Sequence, residues 1–492
     1  MTLTHKLYRG AATLALGKVG SKIFAMVRLV ILARMLTLED MGIVSMLMLT
    51  VALLEMLSQL GADKLLIQAH DGDDPRFQGC VHVTRISRGV FNALVLLIIA
   101  VPMARLFKAE DAWPAFAALA VVPLIRGFVH TDVLRSQRGL RYAPLIKVEL
   151  ISSVLAAASA APLALWLGDY RAGLGCIIIK ALAYTVTTHV VATRPYRLAW
   201  DRAVASRLFH FGWPMLINSA LLYAITHGDK LIVGRYYTPA DLGVYAVAFG
   251  LAMTARMTVA GALNSLFLPV LASTQDHAER FAQRLGVLAT MLALCGVLLA
   301  VPLVVAGGDV MSLIYGAKYS TAGAFVGWLA AMQAVRLVRT APSIAAQARA
   351  DSLTLMFANI VRASFLAPAL AAALGGAPLV VLARWGLAGE VAALGTMALL
   401  LRRSWAVPLA TIARPVLWAS AVTAATAAAG LWASRGRGEF PTLVIAGVAT
   451  LAAAGLLGGV LRDARRVVRT LAGDVGTKLR PAEPAAATDS AA

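Results

Sequence analysis

Charge is scarce in this sequence, and negative charge scarcer still. Of 492 residues, 14% are charged, 45 of them basic and only 25 acidic, whereas soluble proteins run at about 25% charged. Cysteine is nearly absent. Cys80, Cys176 and Cys295 lie far apart, each in or beside an apolar run, which excludes a disulfide framework and a zinc site. No stretch between apolar runs greatly exceeds roughly 20 residues, far short of the smallest soluble domains. No loop gathers a Ser/His/Asp or Cys/His set, an acidic metal-binding pair or a Gly-rich phosphate loop with its lysine. Catalytic residues, metals and cofactors are therefore not expected. A cleavable signal peptide is not expected either, because the first apolar segment carries Lys18, Lys22 and Arg28.

Apolar residues are what the chain has in abundance, at 60%. That is about 295 residues where a helical crossing needs about 20, enough for roughly fourteen crossings. A soluble fold of this size has too little interior to hide so much apolar surface. The runs are too long for the ten-residue alternation of a membrane β-barrel. The expectation is an all-α polytopic membrane protein of about 14 transmembrane helices. Apolar windows fall near 11–35, 42–62, 86–107, 112–134, 143–167, 172–193, 210–233, 243–268, 284–306, 321–338, 351–373, 378–401, 411–433 and 441–461.

The basic stretch from Arg194 to Arg207 separates the sixth window from the seventh. It suggests an N-lobe over 1–208, a C-lobe over 209–404, a hairpin over 405–461 and a tail over 462–492 that begins basic and ends Pro/Ala-rich. If the N-terminus is cytoplasmic, cytoplasmic loops and tails hold about 26 Lys and Arg, and the opposite loops about 8. By the positive-inside rule, both termini are expected in the cytoplasm. The net charge of +20 is then first a matter of topology, and no nucleic-acid partner is expected.

An internal repeat supports the division. Arg34, Thr37, Asp40 and Gly42 reappear as Arg235, Thr238, Asp241 and Gly243, all at an offset of 201. Each copy follows one long apolar run and precedes another, on the non-cytoplasmic side. Parallel repeats related by an axis along the membrane normal are expected, forming two six-helix lobes around a central cavity.

With residues at window edges assigned to the nearer loop, topology leaves 11 basic residues inside the apolar windows: Lys18, Lys22, Arg28, Arg88, Arg126, Lys147, Lys180, Lys230, Arg256, Arg362 and Arg384. Each costs roughly 2.5–3.5 kcal/mol at a span centre. Arg88, Lys147, Lys230 and Arg362 lie near window ends, where a long side chain can snorkel to the headgroups. Lys22, Arg126, Lys180 and Arg256 lie deeper. Lys18, Lys22 and Arg28 fit within an arc of roughly 120° on one helix, a stripe that must face protein or water. Intramembrane acids are fewer: Glu55, Asp229 and Glu390, the last beside Arg384 at a spacing of six, where pairing could neutralise it. His130, His189 and His227 read as hydrogen-bonding packing residues rather than proton relays. The basic excess implies a cationic cavity suited to an anion such as phosphate or pyrophosphate.

The run Ala33-Arg-Met-Leu-Thr-Leu-Glu-Asp-Met-Gly42, with Gly61-Ala-Asp-Lys-Leu-Leu-Ile-Gln68, resembles the opening of Wzx-type oligosaccharide flippases. These belong to the multidrug/oligosaccharidyl-lipid/polysaccharide exporter superfamily. Gly228-Asp-Lys-Leu-Ile-Val-Gly-Arg235 and Leu313-Ile-Tyr-Gly-Ala-Lys-Tyr319 resemble that family's second half. The resemblance spans roughly residues 10–400. It implies two bundles in a V that open alternately to either side of the inner membrane. The implied substrate is an undecaprenyl-pyrophosphate-linked oligosaccharide, passed on to a polysaccharide polymerase and a chain-length regulator.

On this reading Lys18, Lys22, Arg28, Arg126 and Arg256 hold the pyrophosphate, and Glu55 and Asp229 balance charge or couple an ion. A peptidoglycan-precursor flippase shares the span number and the cationic cavity. A drug or cation antiporter would want acidic cavity residues, and a glycan-assembly enzyme a larger loop.

Overall fold

The computed structural model describes residues 3–58, 61–434 and 442–452, with side-chain surroundings described from Gly17 onward except at 214, 215, 217, 218 and 434. Every regular element among them is helical. The first half contains α1 (Leu3–Met35), α2 (Leu38–Leu57), α3 (Ala62–Gln68), α4 (Pro75–Leu106), α5 (Trp113–Ala118), α6 (Val121–Gly127), α7 (Asp132–Arg138), α8 (Ala143–Ala158), α9 (Ala160–Leu167) and α10 (Arg171–Val191). An extended linker leads to α11 (Arg202–Tyr236), α12 (Pro239–Ala272), α13 (Ala278–Val305), α14 (Gly307–Tyr315), α15 (Gly323–Val338) and α16 (Thr340–Ala348). Then follow α17 (Ser352–Ser364), α18 (Leu366–Leu374), α19 (Leu379–Trp405) and α20 (Ala410–Ser434).

Ten stretches among the described residues are long and apolar enough to cross a membrane. The pair Glu110–Gly127 and Asp132–Arg138, bent by 54° at its break, makes up to eleven. This is a multi-pass membrane protein. The expected fourteen would also need α1, α11 and the segment around Thr442–Ala452, all helical but outside that count. At 33 and 35 residues, α1 and α11 are each long enough for a crossing.

The repeated motif lies where the two halves meet. Thr37 caps α2 and Thr238 caps α12, each through a reciprocal box with the aspartate three residues on, Asp40 or Asp241. The two helix starts then lie against each other. A Cβ on Gly42 would fall 1.9 Å from the Pro239 carbonyl oxygen, and one on Gly243 would fall 2.2 Å from that of Leu38. Leu38 and Pro239 are themselves 201 positions apart, so the contact is the same from either side. Only glycine lets the backbones approach this closely.

Cations close the same end. Arg34 donates to the carbonyls of Leu313 and, at 2.9 Å, Ile314. Its repeat equivalent Arg235 donates to the Leu106 carbonyl at 3.4 Å. Lys318 donates to the carbonyls of Leu36 and, at 3.2 Å, Arg34. Beneath them a core shared by both halves buries Leu36, Met41, Met46, Phe107, Phe116, Tyr245, Phe249, Tyr315 and Tyr319. In the first half α1 packs along α8, and α10 against α8 and α6. In the second, α15 lies between α13 and α19, with α17 on α19 and α20 on α13.

Candidate functional site

Charged side chains gather in three groups inside this frame. In the first half, α2, α3, α4 and α6 line a polar cavity of about 250 Å³ with Glu55, Asp63, Arg85, Arg88, Asn92 and Arg126. Arg126 is ion-paired with Glu55, and Arg85 with Asp63 at 2.5 Å. Arg88 feels the charges of both pairs but joins neither. Deeper in this half, Lys180 of α10 lies within electrostatic reach of Arg28, Arg126, Glu55 and Glu149, and Arg28 lies beside Cys176. Five bases thus meet three carboxylates, Glu55, Asp63 and Glu149.

Between the halves, Lys22 of α1 lies within reach of Lys18 on its own helix and of Arg256 on α12. Among the described residues no carboxylate acts on Lys22. Arg256 feels one carboxylate, Glu390, against two further arginines, Arg336 and Arg339.

The second half holds the densest cluster. Glu390, midway along α19, has no exposed side-chain surface. Its Oε1 lies 2.5 Å from Arg362 Nε and 3.4 Å from Arg336 Nε, and its Oε2 lies 3.0 Å from Arg339 Nε. Asp229 is close by, where its carboxylate accepts the Tyr245 hydroxyl at 3.1 Å and the Lys230 backbone N–H at 2.9 Å. The Lys230 ammonium sits 4.0 Å from the centre of the Phe249 ring.

The expected site residues are therefore distributed over these groups. Lys18, Lys22 and Arg256 come together. Arg126 is joined to Glu55 in the first-half cavity. Arg28 does not share the Lys22 face of α1 but turns into the first half toward α10. Asp229 lies in the second half beside the arginines. Two expectations from spacing fail. Arg384 stacks over Trp328, 4.8 Å from the ring centre, and makes no pair with Glu390. Arg362 and Lys230 are turned inward rather than toward headgroups.

Arg336 and Arg339 were missed as interior residues, because a position at the end of an apolar window reads as loop. Their signal was present: three residues apart, they project from nearly one helix face.

The histidines also assemble. His82, His130 and His189 cluster with Tyr196 of the linker, with ring centres between 4.2 and 5.4 Å apart. His82 Nε2 lies 3.1 Å from the Thr131 backbone N–H, which can only donate, so its Nδ1–H donates to the Arg197 carbonyl at 2.9 Å. His130 Nδ1 accepts the Asp132 N–H at 3.1 Å, and its Nε2–H donates to the Arg194 carbonyl at 3.0 Å. Both rings are neutral in this arrangement and pin the linker to the first half. Burial pushes the Tyr196 hydroxyl above its ordinary range, so it too stays uncharged.

Membrane-length helices around a cationic interior define a multi-pass membrane protein. A family model described as polysaccharide biosynthesis protein matches residues 31–324, more than half of the sequence. The chain belongs to that family, and its fold is the one shared by flippases and exporters of the multidrug/oligosaccharidyl-lipid/polysaccharide superfamily.

The chain is 24% identical over 273 residues to the succinoglycan biosynthesis transport protein ExoT of Rhizobium meliloti (strain 1021), covering 55% of this chain and 54% of that one. It is 36% identical over 104 residues to the probable multidrug resistance protein NorM of Aromatoleum aromaticum, covering 20% and 22%. The match thus spans about half the length of the first relative and about a fifth of the second.

Among solved structures, the inward closed conformation of the lipid II flippase MurJ superposes with a TM-score of 0.73 at 12% identity, over 93% of this chain and 100% of that one. An inward-facing multidrug resistance transporter of the MATE family gives 0.59 at 12% identity, over 82% and 95%.

Proposed function

We propose that the protein flips a polyprenyl-pyrophosphate-linked oligosaccharide repeat unit from the cytoplasmic to the periplasmic leaflet of a bacterial inner membrane, without catalysing a reaction. The observation that carries this reading is the packing of α1 on α12, which brings Lys22 and Arg256, one from each half, within electrostatic reach, with no carboxylate acting on Lys22 among the described residues. Two opposed cations between lobes favour a compact, multiply charged anion, and the pyrophosphate supplies it.

On this reading residues 1–208 and 209–404 rock as two lobes, 405–461 forms an appended hairpin, and both termini are cytoplasmic. The end closed by Arg34 and Lys318 is then periplasmic, and the headgroup enters from the cytoplasm while the lipid tail stays in the bilayer. Glu55 and Asp229 balance charge. A membrane potential negative inside favours outward movement of an anion by about 2.3 kcal/mol per charge per 100 mV, so a coupled cation is not essential. Partners on the far side would be a polysaccharide polymerase and a chain-length regulator.

A second reading, flipping of a peptidoglycan precursor, is favoured by the extent of the likeness to the lipid II flippase fold. The test is Lys22→Ala with Arg256→Ala, followed by surface glycan at matched protein levels. Export should fall at least tenfold, and unchanged export would remove the assigned role. Rescue of cells depleted of their peptidoglycan-precursor flippase would favour the second reading.

A further inference from the structure

The second-half arginine cluster has more donors than its carboxylates can use. Arg336, Arg339 and Arg362 surround Glu390 at ion-pair distances, and Arg256 adds a fourth guanidinium within reach. The carboxylates acting on this group are Glu390 and Asp229, and Asp229 already accepts from Tyr245 and from the Lys230 backbone. The contacts to Glu390 are ionic rather than well-directed. Among the described residues, neither of its oxygens accepts a hydrogen bond of good geometry, and Arg336 Nη1, Arg362 Nη1 and Arg256 Nε are buried donors with no partner.

Arg336 and Arg362 keep only 11% of their side-chain surface exposed, so water cannot freely serve those groups. Buried guanidinium charge that outnumbers its counter-charge is costly unless a further anion arrives. A small cavity of about 30 Å³ lies beside Arg362 and Asp229, is otherwise lined mainly by apolar residues such as Phe365, Leu366 and Trp385, and has room for a water-sized group.

We infer that Arg336, Arg339 and Arg362 form a second oxyanion subsite, which takes the carboxylate of an acidic sugar in the glycan part of the substrate. Glu390 occupies this subsite when the substrate is absent, as an internal stand-in for that carboxylate. Arg256 lies between it and Lys22, so the subsite reads the glycan while the central pair holds the pyrophosphate. The planar guanidinium fork suits a carboxylate in two-pronged contact. Asp229 and Trp385 line the small cavity beside Arg362, a polar group and an aromatic face together, and this space would have to widen to seat a sugar ring. This inference rests on the flippase reading for the identity of the larger substrate. The binding it asserts can be measured without it.

The test uses the full chain in nanodiscs, with sodium glucuronate as the probe, glucose and matched sodium chloride as controls, and inorganic pyrophosphate as a separate arm. Binding is followed by calorimetry. Wild type should bind glucuronate saturably and glucose not at all. Arg336→Gln and Arg362→Gln should weaken glucuronate binding at least tenfold. Glu390→Gln, which removes the resident carboxylate, should tighten it at least fivefold.

Tightening in Glu390→Gln supports the subsite even where an arginine variant fails to fold. Undiminished glucuronate binding in a folded Arg362→Gln overturns it, as does the absence of saturable binding to wild type. So does Glu390→Gln binding no tighter than wild type, or failing to fold with or without glucuronate, since the cluster would then be a structural brace. Pyrophosphate binding lost in Lys22→Ala with glucuronate binding retained separates the two sites. Failure of the pyrophosphate arm alone would count against the flippase reading and leave the acidic-sugar subsite standing.

Discussion

His82 shows how one side chain can join three segments. It takes a backbone N–H from Thr131, gives its own N–H to the linker at Arg197, and sits at 2% exposure on α4. Phenylalanine fills much the same space but offers no acceptor, leaving the N–H of the fully buried Thr131 unpartnered. A buried orphan of this kind costs about 1–3 kcal/mol. His82→Phe should therefore lower the unfolding free energy by that amount in detergent-purified protein. His189→Phe, at an exposed position, should cost less than about 0.5 kcal/mol. Equal effects would mean that the cluster is held by ring packing alone. The three histidines named from the sequence read as packing residues one at a time. His82 and the linker tyrosine that complete the group could not be found by spacing, since contacts across 49 and 115 positions leave no periodic trace. The same holds for Glu390, whose neighbour in sequence was Arg384 but whose partners come from α15, its junction with α16, and α17.

Helices α2 and α12 were legible to within a few residues, because a Thr cap, an Asp three residues on and a following Gly form a local signal. That the two copies touch was not legible. It follows only once both helices start at the same level around one axis. The contact gives a sharp expectation, since a methyl group at Gly42 or Gly243 has backbone oxygen in its way and the flexible end of no side chain to push aside. Gly42→Ala and Gly243→Ala should each destabilise by about 1–3 kcal/mol, the usual range for overpacking. The double variant should cost clearly less than twice that, because one separation of α2 from α12 relieves both clashes. Thermal unfolding of the three variants measures this, and strict additivity would mean that the sites relax independently.

Over the whole molecule, composition revealed a helical membrane protein with a basic interior, while the allotment of cations to each half needed the packed structure. The cation-lined end bears on how such a molecule would move. Lys318 donates to carbonyls of the α1–α2 turn from beyond α14, and Arg34 donates back to Leu313 and Ile314, so the two residues fasten the halves reciprocally. Lys318→Met keeps the apolar stem and removes the donor. With the site partly exposed, the loss should weaken the closed state by about 1–2 kcal/mol, a factor of roughly 5–30 in its population against a state open at this end. Ala33 is fully buried beneath this seal, and cysteine is a small change there. In an Ala33→Cys background, Lys318→Met should speed maleimide labelling from the side of the membrane that this end faces five- to thirtyfold. Cys80 and Cys176 are buried and Cys295 half-buried, so the parent protein supplies a low reference rate. Unchanged labelling would mean that the Gly42–Gly243 contact holds this end shut without its cations. Any rocking of the halves would then have to part that backbone contact first.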